Sequence, residues 1–200
     1  AMDAISLWTW RGYYDKKLLW NILPAGMLGI VIGTSAVSIT SDDFVRLLVG
    51  LVALLFVLRT AIGVRSGKSR IAAKHNRPLA TICGACAGFT SFVAHAGGPP
   101  YQIYAMPLRL DPKIYTGTSV IFFAVMNAMK GVSYAALGEF STQALWSALL
   151  LMPVALISTL IGAAVVKRMR AEVFYPIMYA MVAIVACKQI YDGLSGMITS

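Results

Sequence analysis

Charge is scarce in this 200-residue chain. Only 12% of its residues are charged and 58% are hydrophobic, whereas soluble domains run near a quarter charged and about half apolar. An ordinary soluble globular domain is therefore excluded. Histidine and cysteine are scarce too. Two histidines, His75 and His95, and three cysteines, Cys83, Cys86 and Cys187, do not assemble four metal ligands from any recognisable spacing. The Cys83-x-x-Cys86 pair has no second pair and reads as small packing residues. No nucleophile–base–acid set and no phosphate-binding loop is present, so neither a cofactor nor direct use of ATP is expected. Strict apolar–polar alternation is missing, which argues against a β-barrel. The opening "AMDAISLWTW" lacks the basic region and cleavage site of a signal peptide; it starts inside helix-compatible residues, as if a segment preceded it.

Long apolar runs are plentiful. A helix needs roughly 20 mostly apolar residues to cross about 30 Å of hydrocarbon. Residues 18–40 carry no charge, nor do residues 140–166. Residues 44–62 are broken only near their ends by Arg46 and Arg59, residues 114–137 only by Lys130, and residues 173–191 only by Lys188. Residues 79–104 are uncharged apart from His95. An all-α polytopic membrane protein follows: five spans, a broken segment and a partial N-terminal helix.

The net charge of +9 does not point to nucleic acid, because the bases cluster beside the runs. Arg59, Arg65, Lys68, Arg70, Lys74 and Arg77 share one loop; Arg11, Lys16 and Lys17 form a second group, and Lys167, Arg168 and Arg170 a third. That is the positive-inside pattern, with contact to anionic lipid as the lesser reading. If residues 64–78 form a cytoplasmic loop, the acidic "TSDD" and the "LGEFST" connectors fall outside and "RGYYDKK" and "KRMRAE" inside. The segment 79–107 must then enter from the cytoplasm and return to it.

The chain also repeats itself. Pro24 and Gly33 recur at a constant offset as Pro153 and Gly162, Asp43 as Glu172 and Arg59 as Lys188. The corresponding connectors carry opposite charge, as in inverted repeats. Two inverted repeats are expected, each with a broken or re-entrant helical hairpin, the first incomplete in this chain. Residues 1–63 would close the first repeat and residues 79–200 form the second.

The break itself reads "FVAHAGGPPYQIYAMPL". Gly97, Gly98, Pro99 and Pro100 are the poorest residues for continuing a helix. Irregular backbone is tolerated at membrane depth only where protein or a water-filled cavity covers it. Prolines suit the first turn of a new helix, and the glycines permit positive φ and close ligand approach. A half-helix would start here, its positive end favouring an anion; a kink packed against neighbours is the alternative. Gln102 in its first turn could hydrogen-bond a substrate. Lys130 lies at membrane depth with Asn127 and Tyr134 on the same helix face. Such a lysine is a functional candidate unless it snorkels to the outer surface. Thr118, in "YTGTS", offers a hydroxyl or simply packs small against a neighbouring helix. Asp3 takes the repeat position of Lys130, so the two charges could pair. His95 could shuttle protons, although a lone histidine is more often structural.

Taken together, "GFTSFVAHAGGPPYQIYAMPLRLDPKIYTGTSVIFFAVMNAMKGVSYAALG" and the earlier "MDAISLWTWRGYYD" resemble the sulfite exporter TauE/SafE family of membrane permeases. The likeness lies in the Gly-Gly-x-Pro break, the following Gly-Thr-Ser helix and an Asn-x-x-Lys helix ending in glycine. The first-repeat break of that family is not in this chain. The resemblance implies a bacterial inner-membrane permease that moves sulfite, a C2 organosulfonate or a related small anion. Gly97, Gly98, Pro99, Pro100, Gln102, Thr118, Asn127, Lys130 and Tyr134 would serve the substrate, and His95 and Asp3 would be available for proton coupling. Expected partners are the small anion, membrane lipids and possible further copies of the chain, with no nucleic acid. A carrier or channel for another anion, an intramembrane lipid-modifying enzyme and a non-transporting scaffold are the rivals.

Overall fold

The computed structural model describes residues 2–36, 40–65, 72–137 and 142–199. Residues 37–39, 66–71 and 138–141, which include parts of the basic 64–78 loop and of the "LGEFST" connector, lie outside the described residues. Among the described residues every regular element is helical: α1 (Met2–Thr9), α2 (Lys16–Ala36), α3 (Asp42–Arg65), α4 (Arg77–Val93), α5 (Gly98–Ala105), a single 3-10 turn (Met106–Leu108), α6 (Pro112–Leu137), α7 (Thr142–Arg168) and α8 (Ala171–Thr199). Among the described residues four helical stretches are long and apolar enough to cross a membrane: Lys16–Ala36, Asp42–Gly63, Leu150–Arg168 and Ala171–Ile198. Helix α6, expected as a fifth span, is 26 residues long. Its Thr, Ser, Asn, Lys and Tyr residues interrupt an otherwise apolar composition. Leu150, Leu151, Val154 and Ile157 on α7 and Ile184 on α8 are all more than half exposed, the pattern of a lipid-facing surface.

The chain divides into two compact units. One unit comprises Trp20–Arg109 and Tyr175–Ser200. In it α2 and α4 run parallel and touch through glycines. Gly84 lies against the Ile22 carbonyl, Gly88 against the Gly26 carbonyl, and Gly29 and Gly33 against Ala85 and Phe89. Small residues are what allow two backbones this near in a membrane. Helices α3 and α8 run antiparallel, with Gly50 against Ala186 and Gly193 against Leu47. A small core of Val45, Val49, Val93, Ala94 and Ala96 joins α3 to the end of α4.

The other unit comprises Ala1–Leu19 and Leu110–Phe174, in which α1 packs on both α6 and α7. Its connector turns at Gly12, whose φ of +88° needs glycine. Asp15 then caps α2 by accepting the Leu18 N–H at 2.8 Å. Helix α6 starts at Pro112, with the Asp111 side chain accepting the Lys113 N–H at 2.9 Å. Lys167 near the end of α7 donates to the Thr9 carbonyl at 2.8 Å and stands 5.3 Å from the Trp10 ring centroid. Pro24 and Pro153, equated by the repeat, each lie inside a long helix.

Candidate functional site

The break is a helical hairpin. Helix α4 opens with Asn76, whose side chain accepts the Leu79 N–H at 3.2 Å, and its 17 residues end at Val93. Helix α5 and the 3-10 turn then lead back. The Ala73 N–H donates to the Pro107 carbonyl at 2.9 Å, and His75 Nδ1 lies 3.4 Å from the Tyr104 hydroxyl. The residues just before α4 therefore meet those that end the hairpin, so the chain returns to the side from which it came. Arg109 ends the turn in a left-handed conformation with φ 48°.

The turn between α4 and α5 is held by Thr90. Its carbonyl accepts the N–H groups of Ala94 at 3.1 Å and Ala96 at 2.9 Å. Its hydroxyl lies 2.7 Å from the Cys86 carbonyl and 3.1 Å from the Ala96 carbonyl. The residue is 6% exposed, so these bonds are made without water. Positive φ, expected at the glycines, falls instead on His95 at φ 53°. It occupies the left-handed position after the helix end that glycine most often fills. Gly97 is right-handed, with φ −72°, and serves close approach: a Cβ there would come within 2.6 Å of the Ala87 carbonyl and 2.7 Å of Ser91 Cβ. Gly98 faces open space, with nothing within 4 Å of a Cβ.

Helix α5 starts as the sequence implies, with Pro99 and Pro100 in its first turn. Both prolines are buried, Gly98 and Gln102 are half-buried and His95 is exposed. The prolines also narrow what the tip can offer. They carry no N–H, and the Tyr101 N–H reaches the Gly97 carbonyl at 3.5 Å. An anion at this tip would thus meet the glycine amides and the helix dipole, fewer donors than a proline-free first turn presents.

The second group of candidates lies in the other unit. Asn127 Nδ2 on α6 donates to the Asp3 carboxylate on α1, at 3.2 and 3.4 Å to its two oxygens. Asp3 is also the charge that acts on Lys130. The structure thus gathers Asp3, Asn127 and Lys130 into one polar cluster, with Tyr134 half-buried a turn further along α6. Thr118 is otherwise engaged. It is fully buried, its hydroxyl accepts the Asp15 N–H at 2.8 Å and donates to the Ile114 carbonyl at 2.6 Å. It fastens α6 to the connector before α2, and in this conformation offers a substrate nothing. The candidates accordingly form two groups: His95, Gly97, Gly98, Pro99, Pro100 and Gln102 in one unit, and Asp3, Asn127, Lys130 and Tyr134 in the other.

Sequence reasoning missed Thr90 and Asp15. Asp15 does carry a local signal, an N-cap acid ahead of Leu18, whereas Thr90 is defined by the Ala94 and Ala96 amides that only the turn brings near. Among the described residues no group of His, Cys, Asp and Glu is arranged to hold a metal ion.

A family model described as sulfite exporter TauE/SafE matches residues 1–189. No curated protein and no solved structure matches the chain.

Proposed function

The chain belongs to the sulfite exporter TauE/SafE family, and on that premise we propose that it is a secondary transporter moving a small sulfur-containing anion, sulfite or a C2 organosulfonate, across the bacterial inner membrane. Membership of a permease family and four membrane-crossing helices make it a multi-pass membrane protein and favour transport over catalysis. The observation that carries the substrate reading is the broken α4–α5 hairpin. Its second helix begins at buried prolines, with the half-buried Gly98 open to space. A hairpin of this kind is useful to a transporter because it ends inside the membrane and brings a positive helix end to solute depth.

Lys130 would supply the full positive charge. A small oxyanion gives up much hydration on leaving water, and charge-assisted hydrogen bonds offset that loss. Asp3 and Asn127 would hold the ammonium group when no anion is bound, so that the lysine need not sit uncompensated at membrane depth. Arrival of the anion would release it from Asp3. Gln102 would orient the anion at the hairpin tip and Tyr134 would do so beside Lys130, and His95 or Asp3 would carry a proton if transport is proton-coupled. Two inverted repeats rocking against one another would give alternating access.

Binding of a panel of anions to the purified full chain tests the reading. Sulfite, C2 sulfonates, acetate and a neutral C2 diol would be titrated by calorimetry. The sulfur anions are expected to bind and the diol not to. Lys130→Met should weaken binding roughly 10- to 150-fold, the worth of one hydrogen bond to a charged group. Equal affinity for the diol, or unchanged affinity in Lys130→Met, would refute the proposal.

A further inference from the structure

A groove between α2 and α4 lies apart from the α4–α5 turn. It has a volume of about 490 Å³ and is lined by Arg77 and Thr81 from α4 and by Trp20, Asn21, Pro24 and Leu28 from α2. Its polarity is graded. The parallel contacts of α2 with α4 place Arg77 and Trp20 nearest the starts of the two helices, Thr81 and Asn21 next, and Pro24 and Leu28 deepest. From Trp20 to Leu28 helix α2 rises about 12 Å, so a polar head and an apolar chain could lie along one groove.

Three further observations point to an anionic head at the shallow end. Among the described residues no ion pair involves Arg77, so its charge is available. Trp20 is 79% exposed at the end of its span, the position of an interfacial aromatic. Asn21 Nδ2 is buried without a hydrogen-bond partner. A half-turn of that amide, which interchanges its oxygen and nitrogen, would present the donor to the groove.

We propose that the α2–α4 groove is a binding site for an anionic phospholipid, its phosphate on Arg77 and Asn21 and an acyl chain along Pro24 and Leu28. Charge decides the head group. The site offers a cation and an amide, its Thr81 hydroxyl being given to the Arg77 carbonyl at 3.0 Å; among the described residues no carboxylate lines it, and it lies beside the basic segment that runs through Lys74 and Arg77. Basic pockets between helices on the cytoplasmic side are suited to such lipids. The site does not depend on which solute is transported.

Quenching of Trp20 by brominated lipid is the test. The full chain would be reconstituted in phosphatidylcholine vesicles holding a small fraction of either dibrominated phosphatidylglycerol or dibrominated phosphatidylcholine. The Trp20 component is obtained by difference from Trp20→Phe. Phosphatidylglycerol should be enriched at Trp20 roughly fivefold, the effect of one basic residue near the surface. The preference should vanish in Arg77→Gln and persist in Arg59→Gln, an exposed basic residue of α3. Equal quenching by the two lipids, or a preference retained in Arg77→Gln, would overturn the proposal. Loss of the preference on adding millimolar inorganic phosphate would overturn it as well, by showing that the groove takes a free anion.

Discussion

Replacing Thr90 with valine should loosen the turn on which the hairpin depends. Valine keeps the shape of threonine and removes one hydroxyl. The Cys86 carbonyl, inside α4, keeps its helical partner. The Ala96 carbonyl loses its share of the one hydroxyl proton, which it divides with the Cys86 carbonyl, and Ala96 is 2% exposed, so water cannot replace it. An orphaned buried acceptor costs about 1–3 kcal/mol, at the upper end where surrounding lipid excludes water. Opened forms of the turn should then be populated roughly 5- to 150-fold more often. Hydrogen exchange followed by mass spectrometry on peptides covering residues 90–101 reads this directly, because the Ala94 and Ala96 amides are protected only while they bond the Thr90 carbonyl. Thr90→Ser keeps the hydroxyl and should exchange much as the parent does. Exchange in Thr90→Val indistinguishable from the parent, or serine behaving as valine does, would refute this account of the turn.

Gly97→Ala should destabilise by about 1–3 kcal/mol through overpacking against Ala87 and Ser91, while Gly98→Ala should be nearly silent; thermal unfolding in detergent separates them, and equal losses would contradict the geometry. Asp3→Asn should lower stability by leaving the Lys130 ammonium without its counter-charge, and adding Lys130→Met should recover part of it. A double-mutant cycle by the same assay should give a coupling of about 0.5–3 kcal/mol. Lys167→Met removes the bond to the Thr9 carbonyl and the contact with the Trp10 ring. It should cost about 2 kcal/mol and shift the Trp10 emission.

The membrane class was legible in the sequence because apolar runs of helical length report it almost without context. The hairpin break was legible for the same reason: two glycines and two prolines in a row are intrinsic helix breakers, and the prolines do start α5. The use of each residue was less legible. Left-handed backbone at His95 rather than at Gly97 or Gly98 reflects where α4 runs out, and Gly97 is small because Ala87 and Ser91 stand beside it. Thr118 could be read as a hydroxyl for substrate or as a small packing residue, and Asp15, distant in sequence, consumes the hydroxyl. The pairing of Asp3 with the Asn127–Lys130 face could be guessed only through the expected repeat, which would set two charges at equivalent positions.

Flux measures the central claim most directly. The full chain, reconstituted in sealed proteoliposomes and preloaded with unlabelled sulfite or C2 sulfonate, should accumulate the labelled anion by counterflow. Accumulation should saturate with anion concentration and fall by an order of magnitude or more in Lys130→Met. Counterflow no greater than in protein-free vesicles, for every anion tried, would contradict the account.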